Sequence, residues 1–506
     1  MIPQPRKMRS ICITIALVAG QLVSRQGFAQ GLNNFFLMGY ENYAGLPWGG
    51  TNVNFSSGTP DIYYQYRDIG YSRANANISD DLGNVLFSTN GAWVADAIGD
   101  TMQNGTGLSP SYYTSLYPEG LHGSQLAVII PNPANDEQYY LFHGTLDEFS
   151  GSYASYLYYS IIDMDANNGL GSVITKNNIL LEDTLNKGKI TAVRHANGRD
   201  WWVYCHKQFT SVYYRMLITA SGVQGPFQQS IGMIRHRDVG QVCFSPNGDK
   251  FAYYYGLEDD LEIFDFDRCT GLLSNPVHIA IEDYNQMGGV AFSPSGQFLY
   301  VSSVLDVYQY DVTVADIAGS MVHLGTWDGF YSPSPPLATV FDIAQLAPDG
   351  KIYISTGNGT FHLHVINAPD LPGLACDFQQ HAIELPTYNF NSLPNHPNYH
   401  LGPIDGSVCD SLGINTGMLG VRAEPRTSVS AHPNPSTGTF ALSFAAHPEP
   451  GLLEVLDVQG RVVYQHRLAA WSQIHNVALE NTPAGLYNCR MQWGTRSANT
   501  RVILQP

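Results

Sequence analysis

Charged side chains are scarce in this chain. Asp, Glu, Lys and Arg together make up 13% of its 506 residues, about half the share found in an average globular protein. The 43 acidic residues outnumber the 25 basic ones, and no run of basic residues offsets the net charge of −18. Because such a chain repels phosphate backbones and anionic membrane surfaces, the composition argues against nucleic acid as a partner.

Cysteine is also scarce. The chain has seven cysteines, and no two of them stand at the Cys-x-x-Cys spacing of a zinc site. Cys205 and Cys243 lie within apolar runs and are expected to be buried thiols. Cys269, Cys376 and Cys409 lie in loop-like contexts, where a disulfide can form but its partners cannot be deduced. No tight histidine and carboxylate spacing is present either, so we expect no metal and no cofactor.

Signatures of catalysis are missing too. The chain has no Gly-x-Ser-x-Gly nucleophile elbow. Its carboxylates are numerous but scattered, so their spacing nominates no acid–base pair. The sequence therefore names no catalytic residue.

A secretion signal is indicated at the N-terminus. Three basic residues precede the apolar segment CITIALVAG, and Gly27 and Ala29 place small side chains where a signal peptidase cuts. The segment is shorter than the roughly 20 residues that span a bilayer. We therefore expect residues 1–29 to be a signal peptide.

Glycine, tyrosine and a repeated hairpin are abundant. The chain contains 49 Gly and 31 Tyr. An apolar strand, a turn and an aromatic strand recur in VCFSPNGDKFAYYYG, VAFSPSGQFLYVSS and AQLAPDGKIYISTG, with more divergent copies upstream. The predicted turns fall at intervals of about 50 residues and are marked by Gly83, Asp136, Gly198, Gly248, Gly296 and Gly350.

A third and a fourth apolar stretch follow each hairpin, which predicts four strands per unit. This pattern is typical of β-propeller blades and predicts an all-β fold over residues 30–410. Six turns are visible, but we favour seven blades. Residues 391–402 resemble the start of another unit, and residues 48–58 could complete it from the other chain end. A six-bladed ring with loose ends is the alternative.

The last part of the chain has a different pattern. Residues 411–426 are rich in Gly, Ser, Thr and Pro and are expected to be a linker. Residues 427–506 contain short strands joined by turns, which predicts a small Ig-like β-sandwich. The motifs HPNPSTGTF, LEVLDVQGRVV and TPAGLYNCRM contain its characteristic turn and strand residues Pro433, Asn434, Pro435, Gly438, Asp457, Gly460, Gly485 and Tyr487.

These three motifs resemble the type A sorting domain of the type IX secretion system. Phrases such as LEIFDFDRCTGLLSN and HANGRDWWVYCHK resemble secreted β-propeller proteins of gliding Gram-negative bacteria. The resemblance implies passage through the periplasm and export across the outer membrane by the type IX machinery. It also implies that the sorting domain is removed, leaving the protein released or attached to surface lipopolysaccharide. It implies no chemical activity.

Candidate ligand-binding residues follow from the repeat. Loops that enter the first strand of each blade, and residues that end the second strand, should converge at one end of the ring, where a concave site is expected. The residues that the repeat places there are His122, Gln125, His143, His206, Arg237, Asp238, Trp327 and Asp328.

Three functions remain open. We expect a non-catalytic binding or adhesion module for an extracellular glycan or protein. The alternatives are an extracellular hydrolase or lyase acting on polysaccharide or lactone, and a purely structural matrix component. A deep axial pocket with carboxylates would favour the enzyme, and a shallow aromatic face would favour binding.

Overall fold

The computed structural model describes most of the chain between residues 31 and 505. The predicted signal peptide, most of the predicted linker and Asp238 lie outside the described residues. The described ranges are 31–41, 44–56, 59–147, 152–237, 239–258, 260–281, 283, 287–333, 335–412, 429–479, 482–494 and 496–505.

Seven consecutive antiparallel sheets form the propeller. The first two blades have three strands each. Blade 1 consists of β1 (Phe35–Tyr40), β2 (Gly49–Asn54) and β3 (Asp61–Gln65), and blade 2 of β4 (Ala76–Ser79), β5 (Val85–Thr89) and β6 (Val94–Ala95). A short helix α1 (Tyr112–Leu116) follows blade 2.

Blades 3 to 5 have four strands each, in sequence order across the sheet. Blade 3 consists of β7 (Ala127–Asn132), β8 (Asn135–Gly144), β9 (Ala154–Asp163) and β10 (Ser172–Leu185). Blade 4 consists of β11 (Thr191–Arg194), β12 (Trp201–His206), β13 (Thr210–Thr219) and β14 (Gly222–Arg235). Blade 5 consists of β15 (Val242–Phe244), β16 (Lys250–Tyr255), β17 (Asp260–Asp267) and β18 (Leu272–Ala280).

Blades 6 and 7 repeat the same order, and a small hairpin separates them. Blade 6 consists of β19 (Gly288–Phe292), β20 (Phe298–Ser303), β21 (Asp306–Asp311) and β22 (Val322–Thr326). The hairpin consists of β23 (Tyr331–Ser332) and β24 (Leu337–Ala338). Blade 7 consists of β25 (Phe341–Leu346), β26 (Ile352–Thr356), β27 (Thr360–Ile366) and β28 (Phe378–Asn389). Short 3-10 helices lie at Asn167–Gly169, Ala318–Ser320 and Gly373–Cys376.

The all-β propeller and the preference for seven blades are confirmed. Five of the predicted turn glycines, Gly83, Gly198, Gly248, Gly296 and Gly350, have φ between 70° and 83°, a region that other residues resist. The assignment of a turn to Asp136 was wrong, because Asp136 lies inside β8. Apolar and aromatic side chains fill the spaces between neighbouring blades.

The ring closes differently from the prediction. The N-terminal strands do form blade 1, but residues 391–402, here called the axial segment, contain no strand. The segment runs along the ring axis and bonds to the first strands of several blades. The Asn395 amide donates to the carbonyls of Ala127 and Ile190, both at 2.8 Å, and its backbone N–H donates to Asn75 at 3.0 Å. The segment therefore plugs the channel instead of extending a sheet.

Further contacts hold the lower part of the axial segment. The Tyr399 hydroxyl donates to the Ile129 carbonyl at 2.9 Å, and the Arg194 guanidinium donates to the Tyr399 carbonyl at 2.9 Å. Beyond the segment, Cys269 and Cys409 form a disulfide that spans 140 residues of sequence. This resolves the pairing that the sequence left open, while Cys376 is a buried free thiol.

The C-terminal region is a sandwich of two antiparallel sheets. One sheet contains β29 (Ser430–His432), β30 (Thr439–Ser443) and β33 (Ile474–Ala478). The other contains β32 (Val462–Leu468), β31 (Gly451–Leu456), β34 (Gly485–Trp493) and β35 (Arg496–Leu504), in that order. Apolar side chains from both sheets form its core. In the described part of the chain, no helix is both long enough and apolar enough to cross a membrane.

Candidate functional site

The two ends of the propeller differ. In each of blades 2 to 7, the first strand runs toward the hairpin turn that joins it to the second strand. These turns lie at one end of the ring, here called the turn end. The loops that enter the first strands share the opposite end, here called the loop end. Residues 66–75, 117–126, 186–190 and 389–391 belong to the loop end, where the sequence predicts the binding site.

His122 lies at the loop end and is half-buried. Its Nδ1 is 2.9 Å from the Tyr113 hydroxyl, and its ring lies 4.5 Å from that of Tyr117. Burial lowers the pKa of His122, and the charges of Arg73 and Lys187 lower it further. The imidazole is therefore held close to two cations.

Gln125 has a structural position on the ring axis. Its Nε2 donates to the Val242 carbonyl at 2.8 Å and to Asn395 Oδ1 at 3.1 Å, while its Oε1 accepts from the Val242 N–H at 2.9 Å. Its hydrogen-bonding capacity is thus used to join blade 5 to the axial segment.

His143 and His206 are enclosed between strands. The two ring nitrogens of His143 lie 2.8 Å from Ser109 Oγ and 2.9 Å from Ser160 Oγ. His206 lies 3.2 Å from the Asn186 amide and packs against the ring of Tyr213. Burial lowers the pKa of each imidazole to about 3, so both are neutral in the folded protein.

The other sequence candidates lie apart from the axis. Arg237 is exposed, after β14. Trp327 donates from its indole N–H to Thr339 Oγ1 at 3.3 Å, and the Asp328 carboxylate lies 2.9 Å from His381 Nε2, between blades 6 and 7. The seven nominated residues that the structure describes do not form a single cluster.

A different set of charged groups surrounds His122. Lys187 is half-buried, and burial together with the charge of Arg73 lowers its pKa to about 8. Asp342 begins blade 7 and is buried, which raises its pKa to about 6 against the opposing effect of Arg73. We call Arg73, His122, Lys187 and Asp342 the axial mouth. Arg73 influences the pKa of each of the other three, and all four residues belong to the loop end.

Several polar atoms around the axial mouth have no hydrogen-bond partner within the protein. Buried polar groups are nearly always paired, so such atoms indicate where water, an ion or a ligand binds. Neither Arg73 nor Lys187 forms an ion pair within hydrogen-bonding distance among the described residues. The unpaired atoms are Arg73 Nε, Ser303 Oγ, Asp342 Oδ2 and Asn391 Oδ1.

Sequence reasoning missed Arg73, Lys187 and Asp342, although a signal for the first two exists. Arg73 and Lys187 precede the first strands β4 and β11 within a few residues, as His122 precedes β7. The same positional rule therefore finds Arg73 and Lys187, once cations as well as histidines and aromatic residues are considered. It does not find Asp342, which lies inside β25.

A row of aromatic side chains continues from the axial mouth toward blade 1. The Arg73 guanidinium lies 5.2 Å from the centre of the Phe390 ring. The Tyr40 ring lies 5.5 Å from Phe390 and 5.5 Å from Trp48, and Trp48 lies 4.6 Å from Tyr388. Phe390, Tyr40 and Trp48 are half-buried, and we call these three residues the aromatic row.

The turn end presents a different surface. A cavity of about 100 Å³ runs beside the axial segment, from Gln125 and Gln241 on the ring axis to Trp471 and Gln473 of the C-terminal sandwich at this end. Gln473 Nε2 is 2.8 Å from His400 Nε2, and the Trp471 indole N–H donates to Asn247 Oδ1 at 3.3 Å. Burial, followed by the Arg194 charge, lowers the pKa of His400 to about 4. The axial segment thus leaves the channel beneath the sandwich.

Among the described residues, no group of three or more His, Cys, Asp or Glu side chains could hold a metal ion. The charged residues of the axial mouth are mostly cationic, which disfavours a bound cation there. The donors present are suited to an anion instead.

The predicted motif residues of the C-terminal sandwich occupy turns and strand ends. Asn434 donates from Nδ2 to the Arg501 carbonyl at 2.8 Å and accepts at Oδ1 from the Ile503 N–H at 3.0 Å. Its neighbours Pro433 and Pro435 lie between β29 and β30, and Gly438 has φ 114°. This motif therefore ties the start of the sandwich to β35.

The second and third motifs form similar local structures. The Asp457 carboxylate accepts from the N–H groups of Gln459 and Arg461, both at 2.9 Å, and Gly460 has φ 78°. Gly485 begins β34, and the buried Tyr487 donates its hydroxyl to the Pro483 carbonyl at 2.7 Å. Both are turns that set the register of the adjoining strands.

Comparisons with known proteins agree with both regions. Residues 430–505 match the family described as the secretion system C-terminal sorting domain. No curated protein matches the chain. Among solved structures, the chain is similar to a putative 6-phosphogluconolactonase from Bacteroides uniformis, with 14% identity, a TM-score of 0.43 and coverage of 70% of this chain and 98% of that one.

Two further propellers show the same level of similarity. A periplasmic gluconolactonase from Pseudomonas aeruginosa has 10% identity and a TM-score of 0.40, with 72% of this chain and 98% of that chain covered. The Dos1 propeller has 10% identity and a TM-score of 0.34, with 65% and 92% covered. These similarities concern the fold alone. The sorting domain shows that the chain is a type IX secretion substrate, which supports a secreted or cell-surface location and interaction with that machinery.

Proposed function

We propose that this protein is a secreted or surface-displayed binding module that captures an anionic extracellular ligand at the axial mouth, with no chemistry of its own. In this proposal a Sec signal peptide takes the chain to the periplasm, and the sorting domain directs it across the outer membrane. After export the module is released or attached to surface lipopolysaccharide.

The observation that carries the proposal is that, among the described residues, Arg73 and Lys187 have no ion-pair partner and Arg73 Nε has no hydrogen-bond partner. The charge of Arg73 lowers the pKa of Lys187 and of His122, so further positive charge is disfavoured there. The one carboxyl in the mouth, Asp342, has a pKa raised to about 6 by burial. A bound anion offsets this positive charge and supplies partners for the unpaired polar atoms.

The chemistry of the loop end supports binding. Arg73, His122 and Lys187 are half-buried, and the Arg73 guanidinium lies over the half-buried ring of Phe390. The loop end therefore offers a charged and partly aromatic surface to a ligand.

The test is titration of the full-length protein with an acidic polysaccharide, polygalacturonate, and with a neutral one, dextran. We expect binding to polygalacturonate alone. Arg73→Gln and Lys187→Gln should each weaken it at least tenfold, and added salt should weaken it further. Arg199→Gln, which removes a cation at the turn end, is the matched control and should leave affinity unchanged. Equal effects of the mouth and control variants would exclude the axial mouth.

A second function has its own supporting observation. Asp342, with a pKa of about 6, and Lys187, with a pKa of about 8, are both influenced by the charge of Arg73, and groups with such shifted pKa values also occur in acid–base catalysis. This arrangement would suit a hydrolase or lyase acting on polysaccharide or lactone. Incubation with polygalacturonate and with gluconolactone distinguishes the two functions. Product release that Asp342→Asn abolishes would establish the enzyme, and intact substrate would retain the binding module.

A further inference from the structure

We infer that the anionic ligand is an extended acidic polysaccharide, with one uronate carboxylate in the axial mouth and the following sugar rings lying along the aromatic row. This inference rests on the proposed function, because it takes the axial mouth as the anion site. It adds the class of ligand and the direction in which the chain leaves the mouth.

The first argument is continuity between charge and aromatic surface. Arg73 belongs to the mouth and lies over the ring of Phe390, which begins the row. A group bound to the Arg73 guanidinium is therefore next to an aromatic face. Carboxylates bind guanidinium groups in two-point fashion, which orients the ring that carries them.

The second argument is contiguity. The Tyr40 ring packs against Phe390 at an interplanar angle of 42° and against Trp48 at 65°. The three rings therefore form one continuous, non-planar aromatic surface that begins at Arg73. Pyranose rings present C–H groups to aromatic faces and hydroxyls to their polar edges, as amphipathic aromatic side chains allow.

The third argument is exposure. The three rings of the row are half-buried, whereas Tyr388 beneath them is 2% exposed. Tyr388 holds Trp48 from below, and its backbone N–H donates to the Pro47 carbonyl at 3.1 Å. The row is thus partly accessible and packed on a buried ring, and Leu46, two residues before Trp48, is 66% exposed.

Charge favours a glycan over an acidic protein as occupant. The protein carries a net charge of −18. A broad acidic protein partner would meet this charge over a large area, whereas a narrow polysaccharide chain contacts the mouth and the row alone.

The experiment measures affinity against chain length by calorimetry of the full-length protein, with galacturonic acid and its dimer, tetramer and hexamer. We expect at least a tenfold gain in affinity from monomer to tetramer. Trp48→Ala should remove this gain and leave monomer affinity within twofold of wild type. Trp48→Tyr, which keeps an aromatic ring, should retain most of the gain and guards against a folding defect. Arg73→Gln should weaken every length.

The outcomes separate the two proposals. If all lengths bind equally, or if Trp48→Ala keeps the length dependence, the aromatic row is excluded while the anion site stands. If Arg73→Gln changes no affinity, or if neutral oligosaccharides of the same lengths bind as well, the axial mouth itself is excluded. If acidic peptides of equal charge show the same dependence of affinity on length, the ligand is a protein and not a polysaccharide.

Discussion

The two ends of the ring solve different problems. At the turn end, glycine turns, the exit of the axial segment, the Cys269–Cys409 disulfide and the sorting domain hold the chain in place. At the loop end, cations lie together and polar atoms lack partners. Because contacts at the turn end stabilise the fold, the loop end can carry charged and unpaired groups whose arrangement lowers stability. Unsatisfied groups of this kind are typical of functional sites.

The loop end also contains a cation that serves structure, which gives an internal contrast. Arg235 is buried between Asp260, at 2.5 Å, and Glu262, at 2.7 Å. Its charge is compensated, whereas Arg73 and Lys187 have no such partner. The difference distinguishes a structural cation from the two cations of the proposed binding site at the same end of the fold.

The largest expected effect comes from breaking the compensated cation. Arg235→Met leaves Glu262 buried without a counter-charge and leaves Asp260 with His278 alone, at 3.2 Å, so we expect it to lower the free energy of unfolding by about 4 kcal/mol. Denaturant unfolding measures this change. Arg237→Met removes an exposed cation two residues away and should change stability by less than about 0.5 kcal/mol. Equal losses in the two variants would contradict the contrast between buried and exposed cations.

The charge of Asp342 should make stability depend on pH. Its folded pKa is raised from 3.8 to about 6. The folded state therefore holds the proton more tightly, and stability is lost as pH rises from about 4 to about 6. The loss corresponds to about 3 kcal/mol. Asp342→Asn should match wild type near pH 4 and exceed it by about this amount at pH 8. If the difference in stability between Asp342→Asn and wild type is the same at both pH values, folding does not raise the pKa of Asp342.

Removing the Cys269–Cys409 disulfide at the turn end should lower the free energy of unfolding by somewhat less. The double variant Cys269→Ser, Cys409→Ser frees a long loop of the unfolded chain, and we expect a loss of about 2–4 kcal/mol. Thermal unfolding with and without reductant measures it. Wild type under reductant should behave like the variant, and the free thiols of Cys205 and Cys376 should make no difference. A melting temperature that does not change with reductant would show that the disulfide does not stabilise the fold.

The smallest expected effect is a gain in the free energy of unfolding. Arg67 is 2% exposed, and its two terminal nitrogens have no hydrogen-bond partner. Burial lowers its pKa, which shows the cost of placing its charge there. Arg67→Met removes an uncompensated charge and keeps most of the volume, so we expect a gain of about 1–2 kcal/mol. A loss of stability would indicate that Arg67 has a partner that completes its site.

The blade count could be predicted from sequence because each hairpin is local. Gly248 and Gly296 mark turns whose two strands are adjacent in the chain, so the repeat itself contains the information. The axial segment could not be predicted in the same way. Asn395 is bonded to Ala127 and Ile190, far away in sequence, and no periodicity reveals such contacts.

The site was only partly predictable. The repeat placed His122 at the loop end, because the number of residues between His122 and β7 determines its position along the ring axis. The same rule could not tell that His143 faces Ser109 and Ser160 inside the sheet packing, since neighbouring segments decide which face of a strand is enclosed. Lys187 and Asp342 gained significance only from burial beside Arg73, which is a property of the assembled ring.

The most direct test of the account is hydrogen exchange of the full-length protein with and without the galacturonate hexamer. The account predicts slower exchange in residues 66–75, 117–126, 186–190 and 389–391 at the loop end, and unchanged exchange in the turns at residues 245–249, 293–297 and 347–351. Protection confined to the turn end, or absent from every loop of the loop end, would contradict it.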